Sequence, residues 1–201
     1  MSTSARWLVG IAAALLFGAL LVFGSFNSLV ALDQGVQAQW GQVENVYQRR
    51  ADLVPNLVAT VQGAASFEKG TIVAVTEARA KVGAITADAL KSVTSDPESF
   101  QRFEQAQGQL SSALSRFLVV SERYPELKAT ENFRDLQAQL EGTENRITVE
   151  RMRYNDAARA FNTKRDTFPT LLVANAFGDR FREKQYFQAD AGARVAPKVS
   201  F

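Results

Sequence analysis

The chain has 201 residues, 23 Lys and Arg against 21 Asp and Glu, a net charge of +2, and neither histidine nor cysteine. The length allows one domain plus an anchor, and a nearly balanced charge with no basic block argues against a nucleic-acid partner. Without His and Cys there is no Ser-His-Asp triad, Cys nucleophile, Cys/His zinc site or haem-attachment motif, and no loop has calcium-binding spacing, so no metal and no cofactor is expected.

Residues 7–26 carry no charge. That is about the 20 residues that cross ~30 Å of hydrocarbon. Trp7 and Phe26 mark the ends of the run, and Arg6 is the single positive charge before it. Asp33 is the first charge beyond and Arg49 the first positive one. The positive-inside rule then places the N-terminus in the cytoplasm and the rest of the chain outside. The expectation is a single-pass anchor over residues 1–26. A cleaved signal peptide, cut near Val22-Phe-Gly, is the alternative, and the length of the apolar run argues against it. Gly10, Ala14 and Gly18 recur every fourth residue on one face, the small-xxx-small pattern of closely packed membrane helices. Chance in an Ala-rich span is the competing reading.

Beyond the span, alternating steps of four and three from Val36 meet Trp40, Val43, Tyr47, Arg50, Val54, Leu57, Val61, Ala64, Glu68, Thr71, Val75, Ala78, Val82 and Ile85. This alternation is the seam of a bundle or coiled-coil helix. It predicts one unbroken helix of ~75 Å at 1.5 Å per residue. Pro55 predicts a kink, not a break, because the seam keeps its phase on both sides. Asp96-Pro97-Glu98 is a start signal for a second helix: Asp as cap, Pro at the first position, Glu in the first turn. Its stripe is Phe100, Phe103, Gln107, Leu110, Leu114 and Phe117, and Tyr124-Pro125 ends it. Thr130 caps a third helix with Phe133, Leu136, Leu140, Thr143, Ile147, Glu150, Tyr154, Ala157, Phe161, Lys164 and Phe168 on its stripe. Pro169 stops it. A short fourth helix over residues 170–177 ends at Gly178. Residues 191–201 read as a flexible tail.

Arg50, Glu68, Glu150 and Lys164 stand on seams where an apolar residue is the default, so each needs a partner or a route to water. Fixing register is their ordinary role. Asn45, Asn56, Asn145, Asn155 and Asn162 recur on helices that Asn does not favour. They point to hydrogen bonding between helices or to a partner chain, with plain exposure as the alternative. Glu141 and Glu144 lie one turn apart, a common arrangement on a solvated face, and give hydrolysis no support.

Leu53-Val-Pro-Asn-Leu-Val with Gln-Arg-Arg before it, Tyr124-Pro-Glu-Leu-Lys, Leu140-Glu-Gly-Thr-Glu-Asn-Arg-Ile, Arg153-Tyr-Asn and Phe161-Asn-Thr-Lys together resemble the LemA family of bacterial membrane proteins. The resemblance implies a membrane anchor followed by an all-helical domain, and brings no settled activity. LemA-like proteins are often encoded beside membrane proteases and other envelope proteins, which implies a second envelope protein as a partner.

The expected fold is all-α: a transmembrane helix running into an elongated antiparallel bundle of three long helices and a short fourth over residues 27–190. The expected function is a non-catalytic scaffold of the bacterial inner membrane, with its domain outside the cytoplasm, that self-associates. A regulatory adaptor for a membrane enzyme such as an envelope protease is the alternative. If the second helix descends beside the first and the third climbs from there, no part of the same chain reaches the membrane-proximal seam. Val36, Trp40, Val43, Tyr47, Arg50 and Val54 would then pack against other copies, and Gly10, Ala14 and Gly18 would let the membrane helices approach below. Should the loops lower the third helix far enough, the seam is covered internally and Arg50 faces Glu144 or Glu150.

Overall fold

The computed structural model describes residues 3–62, 67–85 and 87–188. They form seven α-helices and no strand: α1 (Thr3–Gln62), α2 (Lys69–Gly83), α3 (Ala87–Ser92), α4 (Pro97–Ser121), α5 (Pro125–Lys128), α6 (Glu131–Asp166) and α7 (Thr170–Ala176). A 3-10 turn (Gly178–Phe181) and an extended strap over residues 182–188 follow. The fold is the expected all-α one, an apolar N-terminal helix running into a helical bundle. The tail expected over residues 191–201 lies outside the described residues.

The expected unbroken first helix is corrected. α1 runs through Pro55 without a break and ends at Gln62. α2 starts at Lys69 and returns alongside, so Arg79 Nε donates to the Ala51 carbonyl. This reversal changes every later direction. α4 rises with α1 instead of descending beside it: Phe103 lies on Trp40, Gln107 on Arg50, and Phe117 on Phe67. α6 then descends, with Glu144 opposite Arg50 and Tyr154 opposite Trp40. The result is an up-down-up-down bundle, a topology that short connections favour.

Local signals set the remaining ends. Asp96 caps α4, its carboxylate accepting from the Ser99 N–H, with Pro97 in the first turn. The Ser99 hydroxyl first, and its N–H second, hold the Asp96 carboxyl below its usual pKa. Thr130 precedes α6, but its hydroxyl donates back to the Leu127 carbonyl instead of capping the helix. Gly178 has φ of 43°, the left-handed conformation that ends a helix at small steric cost in glycine alone.

The core has two parts. The part nearer the apolar span gathers Leu29, Val36, Trp40, Val43 and Tyr47 with Phe100, Phe103, Tyr154, Phe161 and Phe187. The far part gathers Val54, Leu57 and Val61 with Val75, Leu110, Leu114, Phe117, Phe133 and Leu140. The stripes read in α4 and α6 are therefore largely core, with Phe168 an exception at 74% exposed.

Below the core α1 is bare. Its residues 6–24 are exposed, and the first buried one is Ser25. Mean hydropathy in its most apolar window is 2.4, long and apolar enough to cross a membrane.

Candidate functional site: a polar layer and an open groove

A polar layer separates the two halves of the core, and Arg50 is its centre. Only 1% of Arg50 is exposed. One terminal nitrogen donates to Ser111 Oγ (2.6 Å) and to Glu144 Oε1 (3.0 Å). The other donates to the Gln107 carbonyl (3.2 Å) and to Gln107 Oε1 (2.6 Å). Its Nε is buried without a partner among the described residues, and its guanidinium carbon lies 4.9 Å from the Tyr47 ring centre. A planar guanidinium with five donors can tie three helices at one level. Here it joins α1 to α4 and α6. Burial raises the Tyr47 hydroxyl pKa against the opposing pull of Arg151 and Arg50.

The expectation of a bare, intermolecular seam is corrected by these contacts. Val36, Trp40, Val43, Tyr47, Arg50 and Val54 are all buried within one chain. Phe100 and Phe103 of α4, Tyr154 of α6 and Phe187 of the strap pack on Trp40 and supply the cover. Of the other polar seam residues, Glu150 accepts from Gln39 and pairs with Arg153 at its edge, while Glu68 is exposed.

Asn155 and Asn162 have a use that the sequence did not disclose. Asn162 Nδ2 donates to the Lys184 carbonyl and its Oδ1 accepts from the Lys184 N–H, each at 2.9 Å. Asn155 makes the same pair with Phe187, again at 2.9 Å. Each amide thus replaces the neighbouring strand that an extended backbone would otherwise need. The spacing explains the fit. Two helical turns rise ~10.5 Å, and three residues of polyproline-like chain advance ~9 Å. Arg182 has φ −60° and ψ 150°, within that conformation. Every third residue of this stretch, Phe181, Lys184 and Phe187, is buried. Phe187 packs on Trp40, Phe100 and Tyr154. Lys184 reaches Asp33 on α1 at 2.6 Å. Tyr154 donates to the Gln185 carbonyl, and burial raises its hydroxyl pKa well above the ordinary tyrosine range. Asn45, Asn56 and Asn145 are exposed.

The strap leads into an open groove. The closest helix pairs are α1 with α6 and α2 with α4. Near the apolar span the strap lies between α4 and α6. Above Gln188 a cleft of about 690 Å³ opens, lined by Tyr47, Arg50, Glu104, Gln107, Ser111, Glu144, Thr148, Arg151 and Gln188 among others. A second cleft of about 410 Å³ continues it past Ser111 and Glu144 to Leu118 and Leu140. Both glutamates are already engaged by guanidinium groups, Glu144 by Arg50 at 3.0 Å and Glu104 by Arg151 at 3.7 Å. The hydroxyl of Ser111 accepts from the same Arg50 nitrogen that donates to Glu144. Such a lining offers hydrogen-bonding groups whose charges are already paired. Among the described residues no His, Cys, Asp and Glu cluster has metal-binding geometry. Sequence reasoning missed this cleft because its walls come from three helices whose relative directions depend on the break after Gln62.

Comparison with known proteins places the chain among relatives of one family. The LemA family matches residues 39–201, downstream of the apolar span. Magnetosome protein MamQ 2 of Paramagnetospirillum magneticum is 25% identical over 177 residues, 81% of this chain and 64% of that protein. Magnetosome protein MamQ of Magnetospirillum gryphiswaldense is 23% identical over 176 residues, with the same coverage of 81% and 64%. Protein LemA of Metamycoplasma hominis is 26% identical over 151 residues, 75% of this chain and 64% of that one. The chain thus spans less than two thirds of the length of these curated relatives, 64% in each case.

Proposed function

The chain belongs to the LemA family, and we propose that it is a membrane-anchored scaffold that self-associates through its apolar helix and performs no bond-making chemistry. Residues 1–26 are the anchor and residues 27–190 the bundle domain. The observation that carries this reading is the continuity of α1. One helix is bare and apolar up to Gly24 and becomes core from Ser25 onward, with no linker between. Arg6 puts the N-terminus in the cytoplasm and the bundle outside the inner membrane.

With the membrane-proximal seam closed inside the bundle, association falls to the bare part of α1. A Cβ added at Gly10 or Gly18 would meet nothing within 4 Å, so no contact within the chain uses these small residues. They and Ala14 form the face on which a second α1 packs. The polar groove between α4 and α6 is where the scaffold holds an extended segment of a second envelope protein, by side-chain hydrogen bonds of the kind it already makes to its own strap. A stoichiometric membrane enzyme in that position would make the chain its adaptor, the second reading.

Single cysteines in this cysteine-free chain test self-association. In membranes, Ala14→Cys should give disulfide-linked dimers under mild oxidation, and Ala12→Cys, on another face, should not. Equal cross-linking at both sites, or none at Ala14, contradicts the proposal.

A further inference from the structure

α7 lies at the end of the bundle from which the apolar part of α1 emerges. The helix buries Thr170, Val173 and Ala174. It leaves Leu172 61% exposed, between Phe168 at 74% and Phe177 at 48%. Three large apolar side chains bare around so short an element form an unusual surface for a water-facing domain. Their height explains them. The Phe177 ring lies 4.9 Å from that of Phe26, and the Phe181 ring 5.4 Å. Phe26 ends the uncharged run of α1, and Asp33 is the next charge. From Phe26 to Asp33 the helix rises ~10 Å, less than two interfacial layers of a bilayer at ~5–7 Å each. α1 has no break between the run and the bundle, so it cannot lift the base away. The Arg180 guanidinium stands 5.2 Å from the Phe26 ring centre.

We propose that the base of the bundle is a lipid-contact surface, in which Phe168, Leu172 and Phe177 enter the headgroup and upper acyl region of the bilayer that α1 crosses. This rests on the membrane-anchored reading above. The occupant is lipid because the Phe177 ring packs on Phe26, where the uncharged run of α1 ends, the level at which an apolar face sinks ~5–10 Å into the headgroup and acyl boundary. Arginine fits the same level, its stem among apolar groups and its charge at the headgroups. The surface also fixes the bundle upright: α1 and α7 together give two points of contact, where a single helix would leave the domain free to tilt.

The test uses the full chain in phosphatidylcholine vesicles, with an environment-sensitive fluorophore on single cysteines at Leu15, Val119, Phe168 and Leu172. Val119 is 65% exposed near the far end of α4 and reports bulk water. Lipid spin-labelled near its headgroup should quench the labels at Phe168 and Leu172 severalfold more than that at Val119, while aqueous iodide should do the reverse. Lipid spin-labelled deep in its chain should quench the label at Leu15. If Leu15 is quenched but Phe168 and Leu172 behave like Val119, the lipid-contact surface is wrong and the anchor stands. Labels at Phe168 and Leu172 shielded from both quenchers would assign the surface to contact with a second copy of the chain and overturn the proposal. If Leu15 is not quenched, the anchor itself fails and this inference with it.

Discussion

Arg50 shows what a single residue can and cannot disclose. Its place on the seam marks it as a buried charge in need of a partner, and Glu144 or Glu150 follows only if the third helix covers the seam within the chain. The choice between them, and the part played by Gln107, depends on the direction of α4, which no local signal carries. Its energetics follow from the contacts. Arg50→Ala leaves the buried Gln107 amide without its donor and should cost ~2–3 kcal/mol. Glu144 is 40% exposed and can turn to water, so Glu144→Gln should cost ~1 kcal/mol or less. Thermal unfolding of the purified full chain in detergent would separate the two, and equal losses would contradict the geometry. Tyr47 and Tyr154 give a pH signature. Burial raises both folded-state pKa values above the ordinary 10.0. Their contribution is therefore complete below pH 10 and declines as pH rises above it, where the unfolded chain ionises first. Melting temperature should fall above pH 10, and less steeply in Tyr154→Phe than in the parent.

At the scale of elements, periodicity identified faces well and the turn poorly. Thr71, Val75 and Ala78 fall on the seam extrapolated from Val36, and they are buried. The phase survives the reversal because α2 packs its own apolar stripe on the same core, so a walk of fours and threes cannot detect the break. Gly63 directly after Gln62, and Gly70 soon after, were the usable signals, since glycine commonly follows a helix end. The start of α4 was plain because Asp96 and Pro97 act locally. The strap was illegible: its partners lie 22 and 32 residues away, and extended chain has no apolar alternation when it is held by two amides. Amide exchange tests it. The N–H groups of Lys184 and Phe187 should be protected in the parent, the first exposed by Asn162→Ala and the second by Asn155→Ala, with α4 protection unchanged. Loss of protection throughout the chain would mean that the strap is not a separable element. Within the core, Leu114→Ala should cost ~2–5 kcal/mol.

At the scale of the molecule, one continuous helix links a bare apolar segment to a bundle that covers its own seam. A free-standing seam would have made oligomerisation a condition of folding. A closed one removes that condition, and the proposed association then falls to the membrane helix, the proposed lipid contact to the base and the proposed partner to the groove between α4 and α6. The closure of the seam is the central claim, and thiol accessibility at Val43 tests it most directly. Val43 is fully buried, and its neighbour Gln42 is exposed on the same helix. In native membranes Val43→Cys should resist a permeant maleimide, form no disulfide-linked dimer, and label only after denaturation, while Gln42→Cys labels at once. Rapid labelling of Val43→Cys in the native membrane, or its oxidation to dimers, would contradict the account.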